Sequence, residues 1–182
     1  GKNEIFIANR EGNAIRFSES TVRAMGRTAA GVRGITLNKA AGDHVVGMVC
    51  LDPDDKDNTI LVVSEKGNGK RSDFEDYRLT NRGGKGVKTM QITDKTGALI
   101  TIKAVKEGDD LMIINRSGII IRMHVEDIRV MGRVTQGVRV IRLDDGDEIA
   151  DVTVVREANG NEEDGIQASD ETGQSPGNSD ED

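Results

Sequence analysis

Cysteine occurs once in the 182 residues, at Cys50, so no disulfide can form within the chain and a small disulfide-stapled scaffold is excluded. Tryptophan is absent, and three phenylalanines and one tyrosine bring aromatic content to 2%. So few rings disfavour single-stranded nucleic acid as a ligand, because such sites stack bases on aromatic platforms. Apolar runs such as Leu111 to Ile114 and Ile119 to Ile121 are far shorter than the roughly 20 residues of a membrane-spanning helix. Gly1-Lys2-Asn3-Glu4 leads into a short alternating segment with no apolar leader region, so the cytoplasm is the expected compartment and no membrane partner is expected. Two prolines stand against 22 glycines, a composition that favours many tight turns and short strands over long helices. Basic residues are also outnumbered, 25 to 32, for a net charge of −7. At face value that balance argues against a nucleic-acid partner.

The position of the charge reverses this inference. Residues 157 to 182 hold nine acidic side chains, no lysine or arginine, and only Ile166 as a large apolar residue. Such a segment buries too little surface to offset its ordering entropy, so a disordered acidic tail is expected. Residues 1 to 156 carry 25 basic and 23 acidic side chains, a net of +2.

That remaining chain is a threefold repeat. The segments 4–52, 58–105 and 109–155 each begin with an apolar run: Ile5-Phe6-Ile7-Ala8, Ile60-Leu61-Val62-Val63, Leu111-Met112-Ile113-Ile114. Each run is followed by a glycine (Gly12, Gly67, Gly118), and 19 residues later by a second (Gly31, Gly86, Gly137), then a valine (Val32, Val87, Val138). The apolar period within a copy is two, and Ile113, Ile119, Ile121 and Met123 bracket Gly118 as a hairpin would. Four short strands in each copy of about 50 residues describe a propeller-type blade. The middle copy continues with the corresponding run from Val87 to Thr93, the turn Asp94 to Gly97, and a strand from Ala98 to Val105. One blade cannot cover its own apolar face, so blades must stack. The expected organisation is an all-β, propeller-like unit over residues 1–156 with three four-stranded blades, followed by the tail.

Aligning the copies exposes four basic columns. They are Arg16, Arg71 and Arg122; Arg23, Arg78 and Arg129; Arg27, Arg82 and Arg133; and Arg33, Lys88 and Arg139. Lys70 and Lys85 add charge in the middle copy. Windows 16–33, 70–88 and 122–139 hold 14 basic and 6 acidic residues, whereas the rest of 1–156 holds 11 basic and 17 acidic. Acids gather at the blade junctions, at Asp52, Asp54, Asp55 and Asp57, then Glu107, Asp109 and Asp110. Duplicated arginines could simply be solvated or paired within the fold. The segregation of charge points instead to a positive rim facing a regular polyanion, and duplex DNA carries one phosphate per ~1.7 Å of axis. Contact with the phosphate backbone, without base reading, is the expected mode for all 14 of these residues.

Gly132-Arg133-Val134-Thr135-Gln136-Gly137-Val138, its echo Gly26-Arg27-Thr28-Ala29-Ala30-Gly31-Val32, and Gly69-Lys70-Arg71 resemble the C-terminal domain of DNA gyrase A, a type IIA topoisomerase family. Arg82-Gly83-Gly84-Lys85-Gly86 is similar to the core of that family's gyrase box, with Thr80 and Asn81 where its Gln and first Arg belong. The resemblance spans about residues 4 to 156. It implies a β-pinwheel, in which neighbouring blades exchange strands, and a module that wraps duplex DNA on its basic rim. It also implies that the whole bacterial enzyme, a heterotetramer of gyrase A and gyrase B, introduces negative supercoils, with ATP and magnesium bound outside this segment. Nucleoid association follows from the same resemblance. The equivalent domain of topoisomerase IV is the related alternative. A kelch-like propeller that binds protein is the alternative of another class, and it would use an apolar or aromatic face.

No residue is expected to carry catalysis. Tyr77 aligns with Val22 and Ile128, so packing is expected of it rather than nucleophilic chemistry. His44 and His124 lack metal-ligand spacing, and no Gly-x-x-x-x-Gly-Lys-Ser/Thr loop is present. Cys50, in the apolar stretch from Val45 to Leu51, is expected to be a core thiol.

Overall fold

The computed structural model describes residues 1–156, so the tail expected to be disordered lies outside the described residues. The first copy contributes β1 (Glu4–Asn9), β2 (Asn13–Ser18) and β3 (Val45–Leu51). The second contributes β4 (Thr59–Ser64), β5 (Asn68–Asp73), β6 (Val87–Lys88) and β7 (Leu99–Val105). The third contributes β8 (Asp110–Asn115), β9 (Ile120–His124), β10 (Val138–Arg139) and β11 (Ile149–Val155). Short 3-10 turns follow β2, β5 and β9. Among the described residues no helix is long and apolar enough to cross a membrane.

Each copy opens with the hairpin that its glycine announces. Gly12, Gly67 and Gly118 have φ of 80°, 80° and 89°, a region that costs other residues strain. Their amides donate to Asn9, Ser64 and Asn115, each at 3.1 Å. The paired strands that follow are antiparallel, as in Ile5 opposite Phe17 and Leu61 opposite Arg71.

In the second and third copies the short third strand does not stay with its own sheet. The sheet orders are β3-β1-β2-β6, β10-β5-β4-β7 and β11-β8-β9. Val87 and Lys88 of the second copy pair with Ala14 and Asn13 of the first. Val138 and Arg139 of the third pair with Gly69 and Asn68 of the second. This exchange shortens the expected strand Val87–Thr93 to two residues, because the chain must leave the neighbouring sheet before returning to its own. The first two sheets have the expected four strands, counting the one that each receives from the next copy. The third sheet has three among the described residues, and Ile119, Ile120 and Ile121 beside β9 are 51, 55 and 37% exposed.

The core lies between sheets. One cluster joins Phe6, Ala8 and Leu51 of the first copy to Ile60, Val62, Phe74, Tyr77 and Met90 of the second. Another joins Leu61, Val63 and Val105 to Leu111, Ile113, Ile128 and Val152 of the third. Alternate residues of β4 therefore serve opposite cores, which is why Ile60 to Val63 is apolar without interruption and fully buried. Tyr77 stacks edge-on against Phe6 at 5.5 Å, and its hydroxyl bonds Thr89 inside the core. Burial pushes the phenol up to about 12, which leaves it a packing residue rather than a nucleophile. Cys50 departs from expectation, since it is exposed. β3 ends its sheet with a neighbour on one side only, so its outward residues have little to pack against.

Candidate nucleic-acid interface

The basic columns divide into two kinds. In the first column, Arg16 sends Nη1 to the carbonyls of Phe74 (3.0 Å) and Tyr77 (2.8 Å) in the next blade, while Nε pairs with Glu4 at 2.5 Å. Arg71 repeats the reach one blade on, donating from Nε to the Ile128 carbonyl at 2.7 Å and from Nη1 to Glu107 at 2.7 Å. Its side chain is 4% exposed. Arg122, the third member, pairs with Asp110 of its own blade and stays 57% exposed. Arg71, expected on the rim, thus points inward with Nε and Nη1 engaged, and Arg16 is nearly as enclosed. Both commit their guanidiniums to carbonyls of the next blade, of which Phe74 O also accepts from Tyr77 N, so they tie blades together rather than standing free on the rim.

The third column latches backwards. Arg82 donates to the carbonyls of Thr21 (3.1 Å) and Arg33 (3.2 Å). Arg133 donates to the equivalent carbonyls of Asp76 (2.8 Å) and Lys88 (2.7 Å). Both remain half-buried, and Arg27 in the first copy is exposed. Lys70, the extra charge of the middle blade, is fully buried. Its ammonium donates to Gly132 O at 2.8 Å, to Arg133 O, and to Thr135 Oγ1 at 3.2 Å. The expected phosphate contact at Lys70 is therefore not available at the surface.

Eight predicted residues are exposed and make no side-chain ion pair or hydrogen bond among the described residues: Arg23, Arg27, Arg33, Arg78, Lys85, Lys88, Arg129 and Arg139. Lys88 and Arg139 lie on the exchanged strands, the outermost of their sheets. Arg78 and Arg129 adjoin the parallel bridges Arg16–Leu79 and Arg71–Val130, where the chain passes along the same outer edge. Arg78 and Lys85 line a cavity of about 170 Å³ with Ile15, Asn81 and Gly84. The segments 20–42, 77–93 and 128–143 each carry four basic residues and no acid. The acids lie outside these segments, some of them engaged with other cations: Asp55 meets Lys106 at 2.6 Å, and Glu75 meets Lys56 at 2.6 Å. The outer edge is left with uncompensated positive charge, repeated blade by blade.

This arrangement coincides with a family match over residues 3–52, 58–106 and 109–156, whose description is DNA gyrase C-terminal domain, beta-propeller. The chain belongs to that family. Its matched segments follow the three blades. DNA gyrase A of Staphylococcus epidermidis is 47% identical over 161 residues, covering 88% of this chain and 18% of the relative. DNA gyrase A of Staphylococcus aureus is 48% identical over 157 residues, covering 86% and 17%. The chain thus spans less than a fifth of these relatives' length. The C-terminal domain of DNA topoisomerase IV superposes with a TM-score of 0.78 at 25% identity, over 86% of this chain and 47% of that one. A DNA gyrase A C-terminal domain structure has the same fold, at a TM-score of 0.75 and 24% identity, over 85% and 51%.

Within this gyrase-type domain, two features escaped the sequence. The latching role of two basic columns needed the strand exchange to be seen, since their acceptors are backbone carbonyls about 50 to 60 residues away. Leu79, Val130 and Val134 are 54, 53 and 60% exposed on the basic edge. Leu79 and Val130 occupy one column, each directly after an exposed arginine, and that regularity was open to inspection.

Proposed function

We propose that this chain is a non-catalytic, duplex-DNA-wrapping module of DNA gyrase A. The observation that carries the proposal is the recurrence, in every blade, of exposed cations without carboxylate partners along the outer edge. Such an edge neutralises backbone phosphates without reading bases, so it suits a duplex that runs past successive blades. The whole protein would supply the chemistry. In this proposal the rest of gyrase A, together with gyrase B, cleaves and passes DNA in the cytoplasm. ATP and magnesium bind in those parts, and this segment presents the wrapped duplex to them for negative supercoiling.

Salt dependence of duplex binding tests the contact. If all eight exposed cations engage phosphates, log affinity should fall against log salt with a slope approaching about −7, at −0.9 per phosphate. A salt-insensitive interaction, or none, would overturn it. Wrapping is tested in the whole gyrase A protein, by binding nicked circular DNA, ligating, and measuring linking number. No shift would favour a non-wrapping relative or a protein-binding propeller. Deleting 157–182, which removes nine negative charges, should tighten binding at low salt.

A further inference from the structure

Resting on the DNA-binding proposal above, we infer that Lys70 is a positioning residue, an internal strut that sets the loop 132–137 and through it the flanking Arg129 and Arg139 for phosphate contact, and that it touches no DNA itself. An ammonium has three donors. Here all three are taken by that loop, at Gly132 O, Arg133 O and Thr135 Oγ1, and the side chain has no exposure. The loop and its approach are also tied by Met131 N to Arg71 O at 2.7 Å, Ser72 Oγ to Met131 O at 2.8 Å, Gln91 N to Thr135 O at 3.2 Å, Thr135 Oγ1 to Gly132 O at 3.0 Å, and the Arg133 latch.

The neighbouring junction shows that the role is specific. Ile15 holds the position equivalent to Lys70, and Gly84 that of Thr135. There the corresponding loop is held from Thr36, whose hydroxyl donates to Gly83 O at 2.6 Å and whose amide donates to Gly84 O at 2.8 Å. At the position of Thr36 the second junction has Gln91, which has only its backbone bond. Lys70 with Thr135 therefore supplies the side-chain latch that Thr36 supplies one blade earlier. Lys70 is costly to keep charged in this place: burial, and then the Arg133 charge, push it down to about 8, with Asp76 opposing. A charge held at that cost among three oxygens of one loop is accounted for by the loop's placement.

A double-mutant cycle on duplex affinity in the full chain tests the inference, with Lys70→Met combined in turn with Arg129→Ala, Arg139→Ala and Arg78→Ala. Lys70→Met alone should weaken binding about tenfold and reduce the salt slope by more than the single unit of one lost contact. Combined with Arg129→Ala or Arg139→Ala the effects should fall short of additive, because the strut acts through those residues. Combined with Arg78→Ala they should add. Thr135→Val, which keeps every charge, should weaken binding about threefold and speed amide exchange across 131–137 in the free protein. Additivity with all three arginines, or protected loop amides with Thr135→Val, would overturn the positioning role while leaving DNA binding intact. Failure of the unsubstituted chain to bind duplex at all would remove both proposals.

Discussion

The junction between the first and second blades and the junction between the second and third share their frame but differ in their fastening. Both use an exchanged two-residue strand, a forward arginine and a backward arginine, at matching positions. The first adds Thr36 and leaves Ile15 beside a cavity; the second adds Lys70. Backbone exchange and arginine latches are thus common to both junctions, and the side chain that fixes the loop can vary. Strand exchange places the chain across each junction, so the residues closing it come from both blades.

The comparison breaks most severely at the second glycine of each copy. At Gly86, with φ of 75°, a Cβ would lie 2.4 Å from Ala14 O, and at Gly137 it would lie 2.6 Å from Gly69 O. Gly31 has a similar φ of 81° with nothing within 4 Å. Gly86→Ala and Gly137→Ala should cost about 3–4 kcal/mol, against about 1 kcal/mol for Gly31→Ala, where only the backbone conformation is penalised. Urea unfolding of the three variants checks this. Equal losses would mean that contact with the preceding blade does not constrain these glycines.

The forward arginines come next. Arg71→Ala leaves the Ile128 carbonyl without its donor and opens a packed space, and should cost about 3 kcal/mol. Arg122→Ala removes a largely exposed pair with Asp110 and should cost at most about 0.5 kcal/mol. The same column then has two energetic characters, measurable by thermal unfolding.

That column also shows how much was legible beforehand. The repeat, its period of two and its glycines specified three sheets, because turn conformation and facial burial are local requirements written into residue type. The positive edge was legible as a charge pattern. Which cations form it was not: Arg71 and Arg78 are alike in sequence, seven residues apart and both repeated. What separates them is whether a neighbouring carbonyl comes within reach, and that depends on the strand exchange, a non-local event. Lys70 was misplaced for the same reason. Ile15 at its position in the first copy was the available hint that the site faces inward.

A smaller effect sharpens the difference in loop fastening. Thr36→Val deletes the hydroxyl bond to Gly83 O and should cost about 1 kcal/mol. Gln91→Ala, at the matching position, should change stability by less than about 0.5 kcal/mol, since only its backbone is used there. Similar losses at both sites would remove the distinction between the two junctions.

The smallest effect belongs to the third blade. His124 stands where the first two copies have Ser18 and Asp73, residues whose side chains cap the following 3-10 turn. His124 makes no such cap; instead its Nδ1 lies 2.6 Å from Asp110 Oδ1 across the β8–β9 pair. The hydrogen bond to Asp110, with its negative charge, raises the imidazole above the ordinary histidine value. Because the folded value is the higher one, the pair contributes fully below the unfolded histidine value, near 6.5, and the contribution fades as pH rises through the folded value. Proton NMR should therefore find His124 titrating above the ordinary histidine value, with Asp110→Asn bringing it down. Arg122 shares Asp110 and has no such proton to lose, so the Arg122–Asp110 bond should persist after His124 becomes neutral. A midpoint for His124 unmoved by Asp110→Asn would show that the two do not pair in solution.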